Sequence, residues 1–291
     1  MPRRVARSGW FTSTTSSVSD LPDGSARTAV IVVPARYAST RYPGKPLALL
    51  KGAGGLSKPL IQRSWEAAIA VPGIARVIVA TDDARIAEVA RGFGAEVAMT
   101  PESSRNGTER CAAALDAVGD ADIIVNLQGD APLTPAPFVS ALLGAMAADP
   151  LVEVATPALR VTPEIHRRLL ADQRAGRVGG TTAAIGANGD ALYFSKSVIP
   201  HIAASAVGDP GLPVFLHIGV YAYTRAALEA YASLPPTQLE LLEGLEQLRF
   251  LEHGKSVRVV EVAAPGYDIW ELNNPEDVGP IEAAFLARGL D

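Results

Sequence analysis

Cysteine is almost missing from this 291-residue chain: Cys111 stands alone, so no internal disulfide can form and a reducing, cytoplasmic setting is expected. Positive charge is not in excess either. The formal net charge of −5 excludes nucleic-acid binding by bulk electrostatics, so any anion site must be local. No long apolar run is present. The longest uncharged stretch, 131–148, contains three prolines and suits a loop leading into a core helix. Neither G-x-G-x-x-G nor G-x-x-x-x-G-K-[ST] occurs after the first strand, which disfavours a dinucleotide dehydrogenase or a P-loop ATPase.

What is there begins with a polar, Ser/Thr-rich leader over 1–27. It lacks the apolar core of a secretory signal and reads as a disordered tail outside the fold. From residue 28 strand-like and helix-like segments alternate. "AVIVVP" (29–34), "RVIVAT" (76–81), "AEVAMT" (95–100) and "ADIIVNLQGD" (121–130) read as strands, with helices over 58–71, 82–94 and 106–118. This order predicts an α/β fold: a mostly parallel, Rossmann-like sheet with helices on both faces. Beyond about 151 the pattern turns mixed, which predicts a smaller mixed α/β subdomain. A nucleotide-binding part over 28–150 and an acceptor and dimerisation part over 151–291 are expected, although one sheet with an insertion would give the same string. Within 237–254, leucines three apart predict one helix with a single apolar side, ended by Gly254.

Ligands of open α/β sheets bind outside the carboxyl ends of the strands. Three such ends are unusually polar: "PARYASTRYPGKP", "TDD" (81–83) and "QGD" (128–130). The first crowds Arg36, Arg41 and Lys45 into ten residues with no acid among them. Small residues let its backbone approach a ligand closely, and its N–H groups and cations suit phosphate oxygens. The plainer reading is a solvated surface loop. Asp130, just past an apolar strand, reads as a turn residue when taken alone. Beside a phosphate loop it reads as a Mg²⁺ ligand, because Mg²⁺ takes one or two carboxylates plus phosphates.

"PARYASTR", "PGKP", "VATDD", "NGTERCA", "VNLQGD", "ALYFS", "HIGVYAY", "LELLEGLEQLRFLEHG" and "NNPEDV" occur in this order over about 29–288. Together they resemble the CMP-KDO synthetases (3-deoxy-manno-octulosonate cytidylyltransferases). The resemblance implies Mg²⁺-dependent transfer of CMP from CTP to an acid, release of pyrophosphate, and a homodimer. It places Arg36 and Lys45 at triphosphate-binding positions, with Arg41 in the same loop, and gives these two and Asp130 the catalytic roles. Thr108 and Arg110 fall in the segment that closes over cytidine. Gln128, Lys196, His217, Tyr221, Glu240 and Glu243 fall on the acceptor side, and Asp130 and Asn273 at the metal. Each has a plainer reading: His217 and Tyr221 as core residues, Glu240 and Glu243 as a solvated helix face. Cys111 is expected in the core.

The chain departs from the family pattern at several of these positions. Asn273 stands where the family carries a second metal-binding aspartate, and Asp268 or Glu271 is left as a possible substitute. Leu216 replaces a basic residue and Lys196 an arginine, which keeps charge but loses the planar fork. Ala131 replaces an acid, and 179–190 reads "GGTTAAIGANGD" in place of an apolar segment. The nucleotide side is thus intact and the acceptor side altered. KDO or a related 2-keto-3-deoxy sugar acid is the expected acceptor. A different anionic acceptor such as a phosphonate, or a non-catalytic CTP-binding relative, stays open.

Overall fold

The computed structural model describes residues 27–39, 41–207, 209 and 211–291; of the expected leader only Arg27 falls within them. The first half runs β1 (Ala29–Ala35), β2 (Leu49–Lys51), β3 (Ser57–Pro59), α1 (Leu60–Ile69), β4 (Arg76–Thr81), α2 (Ala84–Gly92) and β5 (Glu96–Met99). It continues with α3 (Gly107–Ala113), α4 (Leu115–Val118), β6 (Ile123–Leu127) and α5 (Ala136–Ala148). The second half holds β7 (Val154–Arg160), α6 (Pro163–Arg174), β8 (Thr182–Ile185), β9 (Ala191–Ser195), β10 (Phe215–His217) and β11 (Val220–Thr224). It ends with α7 (Arg225–Ser233), α8 (Gln238–Glu243), α9 (Leu248–Glu252), β12 (Arg258–Val262) and α10 (Val278–Arg288).

Ten of these strands form one sheet in the order β5-β4-β1-β6-β11-β7-β10-β8-β9, with β12 also on β7. The expected parallel core is present: β1 pairs in parallel with β4 and β6, and β4 with β5. Across β6 the sheet changes character. β11 runs antiparallel to β6, and β10, β8 and β9 follow antiparallel, with β12 parallel to β7. The sheet is therefore mixed, not mostly parallel. The later strands extend it instead of building a separate sheet, because the edge of β6 left free by β1 is taken by β11.

Alternation along the strands sorts side chains to two faces. Val30, Val32, Ile78 and Ile124 pack with Cys111 of α3, Leu115 of α4, Leu228 of α7 and Phe250 of α9. Ile31, Val33, Val79, Val125 and Leu127 pack with Ile61 of α1, Ile86 of α2 and Leu142 of α5 on the other face. Each fully buried aliphatic side chain contributes roughly 1.5–3 kcal/mol. Cys111 is core, as expected, and burial pushes its thiol well up. A third cluster packs Leu50, Leu60 and Leu133 against Leu272, Ile281 and Phe285, bringing the C-terminal segment to the side of the parallel strands.

Two expected helices are broken. The 106–118 segment divides at Ala114 into α3 and α4. The 237–254 segment divides into α8 and α9 because Gly244 takes the left-handed conformation, φ 61°. Leu239, Leu241 and Leu242 are exposed as a result, while Leu248 is buried, so the leucines do not share one side. The β2–β3 hairpin and β8 carry too few residues to show a period in the sequence.

Candidate active site

The cationic loop leaves the carboxyl end of β1 and folds back on itself. Gly44 adopts φ 70° and its N–H donates to the Tyr37 carbonyl at 3.0 Å; a Cβ there would meet the Tyr37 ring at 3.0 Å. The turn leaves Arg36 and Arg41 exposed and directs Lys45 inward. Lys45 Nζ donates to Asp130 Oδ2 at 2.5 Å and to the Leu272 carbonyl at 2.8 Å. Arg36 reaches the Arg105 carbonyl, and Arg41 donates to Asn273 Oδ1 at 2.9 Å. Three segments far apart in sequence thus meet at one strand end.

β6 delivers Gln128 and Asp130 through Gly129. A Cβ on Gly129 would lie 2.6 Å from the Pro34 carbonyl oxygen, so only glycine lets the ends of β1 and β6 approach this closely. Ser64 Oγ also donates to the Gly129 carbonyl. The Leu272 N–H donates to the Asp130 carbonyl at 2.8 Å, fixing the C-terminal segment beside the carboxylate.

Helix α3 faces the same end. Asn106 caps it by accepting from the Glu109 N–H. Arg110 is buried, with Nη2 on Asp82 Oδ2 at 2.7 Å and Nη1 on Thr100 Oγ1 at 2.6 Å. Thr108 is buried too: its hydroxyl meets the Tyr223 hydroxyl at 2.7 Å, and its N–H donates to Glu246 Oε2 at 2.8 Å. Both side chains therefore anchor α3 to the sheet in this structure, which their cytidine-side placement in the sequence did not foresee.

On the acceptor side His217 and Tyr221 are buried, their rings 5.5 Å apart. His217 Nε2 lies 2.9 Å from Thr156 Oγ1. The same Thr156 hydroxyl also lies 2.8 Å from the Val220 carbonyl and 3.3 Å from the Ile218 carbonyl. Burial pushes the His217 pKa down to about 3. The Tyr221 hydroxyl donates to Gln247 Oε1 at 3.0 Å.

The solvated-face reading fails for Glu240, and the pocket-facing reading fares no better. Its carboxylate is buried, with Oε2 on Arg249 Nε at 2.7 Å and Oε1 on Arg249 Nη2 at 2.5 Å. A capping box with Thr237 completes its partners. Glu243 accepts from the Ser195 hydroxyl at 2.7 Å and from the Lys196 N–H at 3.0 Å, joining α8 to the end of β9. Lys196 Nζ lies over Gly244, 3.0 Å from where a Cβ would stand.

Glu246 was missed by sequence reasoning. It holds the Thr108 N–H with one oxygen and Gln128 Nε2, at 3.5 Å, with the other, so it joins the two sides of the site. Burial pushes its carboxyl up and the Thr108 hydrogen bonds draw it back. The signal was a glutamate in the α8–α9 break, invisible while one continuous helix was expected.

The arrangement accommodates a divalent cation. Asp130 Oδ1 is a buried oxygen without a hydrogen-bond partner, beside the cationic loop. Among the described residues no three His, Cys, Asp or Glu side chains group as a cation cage. Glu271 Oε1 borders Gly219 beside Gln128 Nε2. Burial first, and then the Asp130 charge, push its pKa up to about 7, while the Asn273 amide, Lys45 and Arg41 draw it back.

A solved cytidylyltransferase from Leptospira borgpetersenii shares the architecture, with TM-score 0.56, 17% identity, and coverage of 91% of this chain and 90% of that one. At that distance the likeness defines the fold, a nucleotidyltransferase-like sheet. A family model described as Cytidylyltransferase matches residues 30–257. The 3-deoxy-manno-octulosonate cytidylyltransferase of Maricaulis maris is 46% identical over 262 residues, 89% of this chain and 97% of the relative. A solved CMP:2-keto-3-deoxy-manno-octonic acid synthetase complexed with CTP is 35% identical, TM-score 0.76, covering 90% of this chain and 99% of that one. The chain belongs to the 3-deoxy-manno-octulosonate cytidylyltransferase family.

Proposed function

We propose that the protein transfers CMP from CTP to KDO and releases pyrophosphate. The observation that carries this reading is the junction of Lys45, Asp130 and Leu272, which sets the cationic loop beside a carboxylate with one buried, unpartnered oxygen. Arg36, Arg41 and Lys45 bind the triphosphate. Two unit charges about 4 Å apart interact by roughly 4 kcal/mol at an effective dielectric near 20, so an anionic acceptor needs these cations to approach the α-phosphorus. The same side chains stabilise charge developing on the departing pyrophosphate.

Arg110 and Thr108 keep α3 seated so that the loop ahead of it lies over the cytidine. Gln128, Lys196, His217 and Tyr221 line the acceptor side. His217 is held neutral by its burial. Glu240 and Glu243 act through the elements they fix. Asp130 and the Asn273 segment would hold Mg²⁺, which when bound supplies positive charge at the phosphate oxygens. The division into a nucleotide part over 28–150 and an acceptor part over 151–291, and assembly as a homodimer, belong to the same reading; the exposed leucines of α8 support the latter.

The test is pyrophosphate release from CTP and Mg²⁺ with a panel of acids. Turnover with KDO is expected. Turnover only with another acid, such as a phosphonate, overturns the acceptor assignment, and CTP binding with no turnover overturns catalysis.

A further inference from the structure

The polar end of β4, "TDD", has no step in the proposed reaction, yet both of its aspartates are occupied. Asp82 takes Arg110 of α3. Asp83 caps α2 by accepting from the Arg85 N–H at 2.9 Å. Its carboxylate also forks onto the Arg85 guanidinium, Oδ1 on Nε at 3.0 Å and Oδ2 on Nη2 at 2.6 Å. So held, the guanidinium carbon lies 3.5 Å from the centre of the Tyr37 ring, in the cationic loop. Tyr37 in turn meets Gly44: its side chain would lie 3.0–3.2 Å from a Cβ there, and its carbonyl accepts from the Gly44 N–H at 3.0 Å.

We propose that Arg85 is a positioning residue for the triphosphate-binding loop: it clamps Tyr37, and Tyr37 fixes the loop's two cationic arms. The inference rests on the cytidylyltransferase reading and adds a residue that does not itself touch the phosphates. Arg36 directly precedes Tyr37 and Lys45 directly follows Gly44. The Tyr37–Gly44 hydrogen bond and contact therefore set where both cations leave the backbone. Three like charges within ten residues push such a loop open when no anion lies among them. An aromatic ring is an anchor that this repulsion leaves in place. Tyr37 packs, with Leu47, at the margin of the cluster that holds Ile86, the neighbour of Arg85. A cation over the ring adds attraction even at an exposed site. A loop kept in its binding shape before the nucleotide arrives loses less freedom on binding, so the clamp raises affinity from outside the site. To serve as a fourth phosphate cation, Arg85 would have to leave both Asp83 and the ring.

Calorimetric titration of the full chain with CTP and with CMP, in Mg²⁺ and without acceptor, tests this. Arg85→Ala is expected to weaken CTP about three- to fivefold, and CMP less than about twofold, because the loop grips the phosphate tail. Tyr37→Leu should weaken CTP at least as much. Adding Arg85→Ala to it should then change affinity by less than about twofold, since the clamp is already lost. Asp83→Asn keeps a good helix cap but opens the charged fork. It should weaken CTP, whereas removing an anion beside a direct phosphate ligand would tighten it. A CTP loss of about twofold or less in Arg85→Ala overturns the proposal. So does a CMP loss matching the CTP loss, a full further loss in the double variant, or unchanged or tighter CTP binding in Asp83→Asn. In each of these cases CTP binding by the parent leaves the proposed function standing; a parent that binds no CTP overturns that function itself. Should Tyr37→Leu not fold by circular dichroism, Asp83→Asn and the contrast between CTP and CMP decide alone.

Discussion

At the scale of single residues, Lys45 bears the most weight because it touches both the acid and the C-terminal segment. Lys45→Met should lower kcat/KM by about 10²–10³-fold in steady-state kinetics, the size found when one preorganised donor is lost. His217 carries a pH signature. Its folded pKa of about 3 lies below the ordinary value near 6.5, so on acidification the unfolded chain takes up a proton that the folded chain refuses. Stability is therefore full above about pH 6.5 and falls as pH drops toward 3, by about 2 kcal/mol between 6.5 and 5. Denaturant unfolding at both values checks this, and His217→Asn should flatten the difference. That Lys45 and Asp130 lie at neighbouring strand ends, and that Cys111 is core, was legible from the chain because apolar runs stop or continue there. Glu246 was not legible, since its partners Thr108 and Gln128 lie far away in sequence.

At the scale of elements, the strands were legible where valine and isoleucine cluster, as in β1, β4 and β6. The breaks were not. Gly244 ends α8 as a left-handed C-cap, and α3 gives way to α4 at Ala114, neither of which the leucine or alanine spacing records. The close approach of β1 and β6 depends on Gly129, and Gly129→Ala would force its Cβ into the Pro34 carbonyl. A loss of about 1–3 kcal/mol in urea unfolding is expected. Arg249 ties α9 to Glu240 of α8 and also pairs with Glu109 of α3. Arg249→Met should leave buried carboxylates uncompensated and cost about 3–5 kcal/mol, again by denaturant titration.

At the scale of the molecule, an α/β class followed from the alternation of segments, and the parallel core with it. The mixed half did not, because antiparallel strands added to one edge look in sequence like a second body. Sedimentation at micromolar concentration should report a dimer for the full chain; a monomer there would remove the homodimer from the proposed function. The two-sided pairing of β6 has a practical corollary for protein engineering. Dividing the polypeptide around residue 150 would strip β11 from its neighbour and bare a ladder of Ile and Val backbone, inviting aggregation of both pieces. Retargeting the enzyme to a new acid is accordingly a matter of exchanging side chains in place, not of shuffling cassettes.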